Sequence, residues 1–157
     1  MNVRTVASAF CLAAFCMVPS MFAADDPFQG TWKLNTEKSK YVPGPGPQSM
    51  IVTVKVDGDT QDVKSEGKMS DGTAVATSFV VKLDGTPAPV TGDPQVDMIS
   101  AQKTNDHALK SKAMKGGKVV GQDRVSVSPD GKTLTVAGSG VDAKGAKHKW
   151  TEVYDKQ

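Results

Sequence analysis

The feature of this sequence that most constrains its fold is a regular series of hairpin turns. Turn pairs recur at Asp57-Gly58, Asp71-Gly72, Asp84-Gly85, Asn105-Asp106, Gly116-Gly117 and Asp130-Gly131, and the stretch from Asp142 to Gly145 follows them. Asp-Gly pairs supply the positive φ angles that tight hairpins need. Most of these signals are 11 to 14 residues apart, so the chain between them consists of short segments that reverse direction each time.

The segments between the turns have the alternating polarity of half-buried β-strands. From Met50 to Val56 every second residue is apolar, while the residues between them are mostly polar. A sustained helical repeat is missing from the sequence after the N-terminal segment, and the one helical candidate is a single turn at Thr36–Tyr41. We therefore predict about nine strands: Phe28–Leu34, Met50–Asp57, Thr60–Met69, Thr73–Lys82, Val96–Thr104, His107–Lys115, Lys118–Ser128, Lys132–Gly138 and Ala146–Tyr154.

Consecutive strands joined by tight hairpins form an antiparallel up-and-down meander. A long meander with one apolar side removes its exposed edges most simply by curling into a closed barrel. We predict an all-β fold of this kind with about eight or nine strands. A two-sheet β-sandwich is the alternative, because alternation within strands does not reveal closure.

The N-terminal segment has the layout of a secretory signal peptide. Arg4 precedes a stretch without charge from Val6 to Val18, which is shorter than the roughly 20 residues of a bilayer-spanning helix. Cleavage is expected after Ala23, with Ala24 as the alternative site. The prediction is a signal peptide at 1–23, a single domain at 24–157, a periplasmic or extracellular location and no stable membrane anchor.

Cysteine and charge narrow the function of the mature chain. Cys11 and Cys16 both lie in the segment to be removed, which excludes disulfides, thiolate catalysis and cysteine-bound metals. Loss of Arg4 takes the 19 basic residues to 18 against 17 acidic ones. Because a nucleic-acid-binding protein has a concentrated basic face, no nucleic-acid partner is predicted. The lysines around the Gly116-Gly117 turn are interpreted as solvent-exposed residues of a hairpin.

The first predicted strand carries a short motif, Gly30-Thr31-Trp32. It resembles the opening strand of the lipocalin and fatty-acid-binding protein (calycin) superfamily, whose members begin with Gly-x-Trp. The chain is also similar to small secreted bacterial lipocalin-like proteins of unassigned function, mainly over Gly30–Pro47. The resemblance implies a β-barrel with the tryptophan closing one end, and an arginine near the last strand stacked on it. The only mature arginine is Arg124, so Arg124 or Lys149 would have to substitute.

Candidate chemical groups are few. His107 and His148 lack metal-ligand spacing, and Ser139 has no nucleophile elbow around it, so no catalytic residue, metal or cofactor is predicted. Asp123 and Glu152 are possible buried polar residues, because strand parity places each with apolar neighbours. A bulged strand or an outward-facing position is the competing interpretation.

The interior of such a barrel should be partly empty. The mature chain has few aromatic residues and many valines, which are too short to reach the barrel axis. We therefore predict a binding module for a small apolar or amphipathic ligand, with wall residues Trp32, Phe79, Met98, Trp150 and Tyr154. The alternative is a protein-binding module that acts through the loops Val42–Gln48 or Pro87–Pro94, and an enzyme is the third possibility.

Overall fold

The computed structural model describes residues 26–142 and 144–157, and these residues form β-strands and turns without a helix. The strands are β1 (Gly30–Leu34), β2 (Lys40–Val42), β3 (Ser49–Asp57), β4 (Thr60–Lys68), β5 (Ala74–Lys82), β6 (Ala88–Thr91), β7 (Met98–Asn105), β8 (Ala108–Lys115), β9 (Lys118–Val127), β10 (Thr133–Val141) and β11 (Lys147–Lys156). Nothing helical in this part of the chain could span a bilayer. The predicted signal peptide lies outside the described residues.

All strands belong to one antiparallel sheet that closes on itself. The strand order is β1-β3-β4-β5-β6-β7-β8-β9-β10-β11-β2, and β1 also pairs with β11. Leu34 lies opposite Tyr154 at that closure, while Tyr41 of β2 lies opposite Trp150 farther along β11. Ten strands therefore form the barrel wall, and β2 is an additional strand. The predicted closed meander is confirmed, and the two-sheet alternative is wrong.

Two strands, β2 and β6, were not among those predicted from the sequence. The segment predicted as a helical turn at Thr36–Tyr41 is one turn followed by β2: the Ser39 amide donates to the Asn35 carbonyl at 3.1 Å, and the chain extends from Lys40 onward. The Pro87–Pro94 segment, predicted as a loop, contains β6. Only two residue pairs join β6 to each neighbour, because proline cannot donate to the ladder.

The apolar core lies toward one end of the barrel. That end carries the turns Asp57-Gly58, Asn105-Asp106 and Asp130-Gly131, since alternate hairpins of an up-and-down meander lie at the same end. Trp32 is 0% and Phe28 is 2% exposed, and leucines and valines of most strands pack around them. This apolar plug, defined by Phe28, Trp32 and the core around them, closes one end.

A lysine lies over the tryptophan of the plug. The Trp32 Nε1 donates to the Phe28 carbonyl at 3.0 Å, and Lys156 Nζ lies 5.0 Å from the ring centroid. Gly30, at φ 137°, leaves room for this side chain, since a Cβ there would come within 2.8 Å of Lys156 Cε. Both substitutes suggested for the family arginine are therefore wrong: Arg124 and Lys149 are exposed on the outer wall, and Lys156 provides the cation.

Candidate ligand-binding site

The barrel contains a cavity of about 210 Å³ next to the plug. Its wall is formed by inward-facing side chains of eight strands together with Phe28, and most of them are valine, leucine, isoleucine or alanine. The space is left because these side chains are too short to meet across the barrel. For scale, a dry apolar cavity of about 150 Å³ can hold benzene, so this cavity has room for a small ring compound.

The five predicted wall residues occupy different places. Phe79 and Tyr154 line the cavity. Trp32 is buried in the plug, and Met98 pairs with Pro89 and Met114 at the far end of β7. Trp150 donates a hydrogen bond to Asp123, which lines the cavity, without being part of the wall itself. Ligand contact by these five residues stays a prediction.

Asp123 faces the interior, as strand parity allowed. Its Oδ2 accepts a hydrogen bond from Ser111 Oγ at 3.2 Å, and its Oδ1 accepts one from Trp150 Nε1 at 2.9 Å. The second bond crosses β10, because Asp123 and Trp150 are both register partners of Gly138. Side chains of β8, β9 and β11 therefore meet at this carboxylate.

Glycines make room for the Trp150 indole. A Cβ on Gly138 would overlap Asp123 Oδ1 and come within 2.7 Å of Trp150 Cε2, and one on Gly140 would lie 3.2 Å from Trp150 Cη2. The backbone of Gly138 needs no unusual φ, so the requirement is for space. The segment Gly138-Ser139-Gly140 thus leaves the space in which the Trp150 indole lies.

Glu152 also faces the cavity, one inward position along β11 from Trp150. Its Oε2 accepts a hydrogen bond from Tyr154 at 2.8 Å, and its Oε1 accepts one from Tyr41 at 3.2 Å. Tyr41 comes from β2, whose small size hid it from sequence analysis. A Cβ on Gly46 would overlap the Tyr41 ring, so the Val42–Gln48 loop folds back over this tyrosine.

The interior position changes the acidity of these groups. Burial raises the pKa of Asp123 to about 6, and the charge of Glu152 adds to that shift, although the hydrogen bonds from Ser111 and Trp150 oppose it. Burial also raises the pKa of Glu152. The same causes, burial and the charge of Glu152, raise the pKa of Tyr41 and Tyr154, so both tyrosines remain neutral donors.

Gln61 is a third polar residue in the cavity wall. It lies on β4 and is 5% exposed. Its Nε2 has no hydrogen-bond partner among the described residues. Gln61 was not predicted as a site residue, although it shares the inward parity of Val63 and Ser65. This two-residue spacing from Val63 was the sequence signal that could have indicated an inward-facing Gln61.

The histidines lie away from the cavity. His148 Nε2 is 3.4 Å from Asp142 Oδ2, and His107 is exposed after the turn that precedes β8. Within residues 26–142 and 144–157, no three histidine, cysteine, aspartate or glutamate side chains are grouped as metal ligands.

Comparisons with known proteins give similarity in structure alone. The chain matches no family model and no curated protein. It is similar to the zebrafish ileal bile acid-binding protein complexed with cholic acid, at 12% identity and a TM-score of 0.48, over 83% of this chain and 99% of that chain. It is also similar to two redesigned β-barrels bound to DFHBI. The match to mFAP1 has 14% identity and a TM-score of 0.47, and covers 83% of this chain and 95% of that chain. The match to mFAP0 has 16% identity and a TM-score of 0.46, and covers 83% of this chain and 99% of that chain.

The similarity is one of fold.

Proposed function

We propose that this protein is an exported binding module that holds a small amphipathic molecule inside its barrel. The observation that carries the proposal is the cavity itself. About 210 Å³ of interior space adjoins a closed apolar plug, and its mostly apolar wall includes two carboxylates and an amide. Ligand sites in proteins typically combine apolar walls with a few placed polar groups. Export is proposed from the charge and apolar pattern of residues 1–23.

The polar groups argue against a purely structural interior. A barrel selected only for stability would fill this space with larger apolar side chains, since burying carboxylates costs free energy that packing does not return. Asp123 and Glu152 each need two neutral donors to satisfy their oxygens. An arrangement that costs stability and faces open space is typical of a binding site.

A binding role is proposed in preference to the docking role considered from the sequence. The Pro87–Pro94 segment forms part of the barrel wall through β6, and the Val42–Gln48 loop packs on Tyr41. Part of each segment therefore belongs to the barrel wall or packs against it. No catalytic role is proposed for the two acids.

The test compares filling the cavity with a change on the outer wall. Protein purified from its own host is examined by native mass spectrometry, and a mass attributable to a co-purified small molecule is expected. The mature chain is then titrated with neutral 2-phenylethanol and followed by amide NMR shifts. Ser65→Phe, which fills the cavity, should abolish binding, whereas Lys64→Phe, on the exposed outer side of the same strand, should leave it unchanged.

Either of two results would overturn the proposal. One is a folded protein with no co-purified mass and no shift on titration. The other is an equal response of the Ser65 and Lys64 variants, which would place the binding outside the barrel.

A further inference from the structure

We propose that the ligand carries a protonated amine, which binds between the carboxylates of Asp123 and Glu152. This inference rests on the proposed function, because it names the chemical class that the same cavity would hold. It is carried by three observations: the unused acceptor capacity of the two acids, the absence of a basic residue from the cavity wall, and an unpaired buried amide on another strand.

The two carboxylates can accept further hydrogen bonds. Each of their four oxygens receives one bond from a neutral donor, namely Ser111, Trp150, Tyr41 or Tyr154. An ionised carboxylate offers about four acceptor positions, and a primary ammonium group has three donors and no acceptor. A protonated amine therefore matches what the site leaves open.

The charge of the acids is uncompensated within the cavity. Among residues 26–142 and 144–157, no lysine, arginine or histidine lines it, and Arg124, next to Asp123 on β9, is exposed on the opposite face of the strand. Holding an ionised carboxylate away from water costs free energy unless an opposite charge pairs with it. A cationic ligand would supply the missing charge, whereas an anionic ligand would add repulsion.

Gln61 provides independent evidence for a ligand with a second polar group. Its side chain is 5% exposed and lines the cavity, and its Nε2 has no partner in the part of the chain that the structure describes. It lies on β4, five strands from β9 in the ten-strand wall. A buried donor without an acceptor costs free energy, so we infer a ligand oxygen on this side of the cavity.

The acidity of the site agrees with a cationic ligand at neutral pH. The pKa of Asp123 is raised to about 6 by burial in the free protein, with Glu152, Tyr41 and Tyr154 as the neighbouring titratable groups. Below pH 6 Asp123 is mostly protonated, and an ammonium group would have to displace that proton to bind. Amine affinity should therefore fall as the pH decreases from 7.5 to 5.

The test uses three probes with one apolar body and different heads: 2-phenylethylamine, 2-phenylethanol and phenylacetate. Titration calorimetry of the mature chain at pH 7.5 should give an affinity for the amine at least tenfold above that for the alcohol, with phenylacetate weakest. Equal or tighter binding of the alcohol or the acid overturns this inference and leaves the proposed function intact. A protein that binds none of the three overturns both.

Substitutions of Asp123 and Glu152 test whether these two acids cause the preference for the amine over the alcohol. Asp123→Asn and Glu152→Gln should each lower amine affinity at least tenfold and lower affinity for 2-phenylethanol by a smaller factor, so that the preference for the amine decreases, with circular dichroism confirming the fold. Asp62→Asn, on the outward-facing side of β4, is the matched control and should change neither. If one cavity variant does not fold, the other decides. Retained amine preference in a folded variant of either acid contradicts the assignment.

Gln61 has its own test. Tyramine, which adds a hydroxyl to 2-phenylethylamine at the end far from the amine, should bind more tightly than 2-phenylethylamine. Gln61→Leu should remove that difference while keeping the preference for the amine over the alcohol. Equal affinities of the two amines for the unmodified protein would contradict a ligand oxygen at Gln61.

Discussion

The plug and the cavity are neighbouring parts of one barrel that differ in their side chains: the plug is apolar, whereas the cavity wall includes polar and ionisable groups. In the plug, Trp32 and Phe28 are almost completely buried, and the one indole donor is satisfied locally by a backbone carbonyl. In the cavity, Asp123, Glu152 and Gln61 face space that apolar side chains could have filled. The plug gains free energy from apolar burial, whereas the cavity loses free energy by holding ionisable groups away from water.

The contrast separates the residues that fold this barrel from those that give it a use. The plug brings the first strand and the last strand together, since β1 pairs with both β3 and β11 around Trp32. Substitutions in the two regions should therefore change stability in opposite directions.

The largest expected effect is in the plug. Trp32→Ala should lower the free energy of unfolding by about 3–5 kcal/mol, because it removes a fully buried aromatic side chain and leaves a cavity. Urea unfolding followed by circular dichroism measures the loss. Trp150→Ala is the matched change, and a smaller loss is expected because Trp150 is only half-buried. Equal losses in the two variants would show that Trp32 in the plug contributes no more to the free energy of unfolding than Trp150 does.

The next effect has the opposite sign and lies in the cavity. Burial holds the pKa of Asp123 at about 6 in the folded chain, above its ordinary 3.8. The folded state therefore binds this proton more tightly than the unfolded state, and stability decreases as the pH rises from about 4 to above 6. At pH 7.5 the loss amounts to at most about 3 kcal/mol.

Asp123→Asn should remove that loss. Its free energy of unfolding at pH 7.5 should exceed that of the unmodified protein by about 1–3 kcal/mol, and the decrease between pH 4 and 6.5 should become shallower. Urea unfolding across this pH range measures both. Asp62→Asn, on the outer wall, should leave the pH dependence unchanged. A destabilised Asp123→Asn protein at pH 7.5 would mean that the acid supports the fold.

A third change tests the hydrogen bond that crosses β10 between Asp123 and Trp150. Gly138→Ala places a methyl group between Asp123 and Trp150, where a Cβ would lie 2.8 Å from the Gln122 carbonyl oxygen and 2.7 Å from Trp150 Cε2. We expect a loss of about 1–3 kcal/mol, as for other overpacked positions, together with a change in Trp150 fluorescence. Ser139→Ala, the next residue along the strand, is the control and should have little effect on either. Unchanged fluorescence in Gly138→Ala would contradict the hydrogen bond across β10.

Strand parity predicted more of the site than aromatic content did. The alternation around Val125 and Trp150 placed Asp123 and Glu152 on the apolar side of their strands, and the turn spacing predicted a closed meander. Aromatic content was a poorer guide to the wall, because Trp32 packs in the plug and Trp150 lies over Gly138. Size alone does not tell which part of a barrel a side chain reaches.

The missed elements have identifiable physical causes. β2 has three residues, Lys40–Val42, too few to show alternation, so Tyr41 was not predicted as a partner of Glu152. β6 has four residues, contains Pro89 and pairs over only two residues on each side. Gln61 is polar at an inward position, and only the closed structure shows that its amide is left unpaired.

The smallest expected effect concerns the cation over the plug. Lys156 Nζ lies 5.0 Å from the Trp32 ring centroid, and its side chain passes over Gly30. Lys156→Met keeps an unbranched chain over the glycine and removes the charge, so the expected loss is about 0.5–1 kcal/mol, as for an exposed cation–π contact. Lys149→Met, on the same strand and away from Trp32, should cost less, and urea unfolding of both variants measures the difference. Because the contact is partly electrostatic, added salt should reduce the effect of Lys156→Met. A loss that is the same for both lysines would mean that the cation over the plug does not stabilise it, and that Trp32 closes the barrel by packing alone.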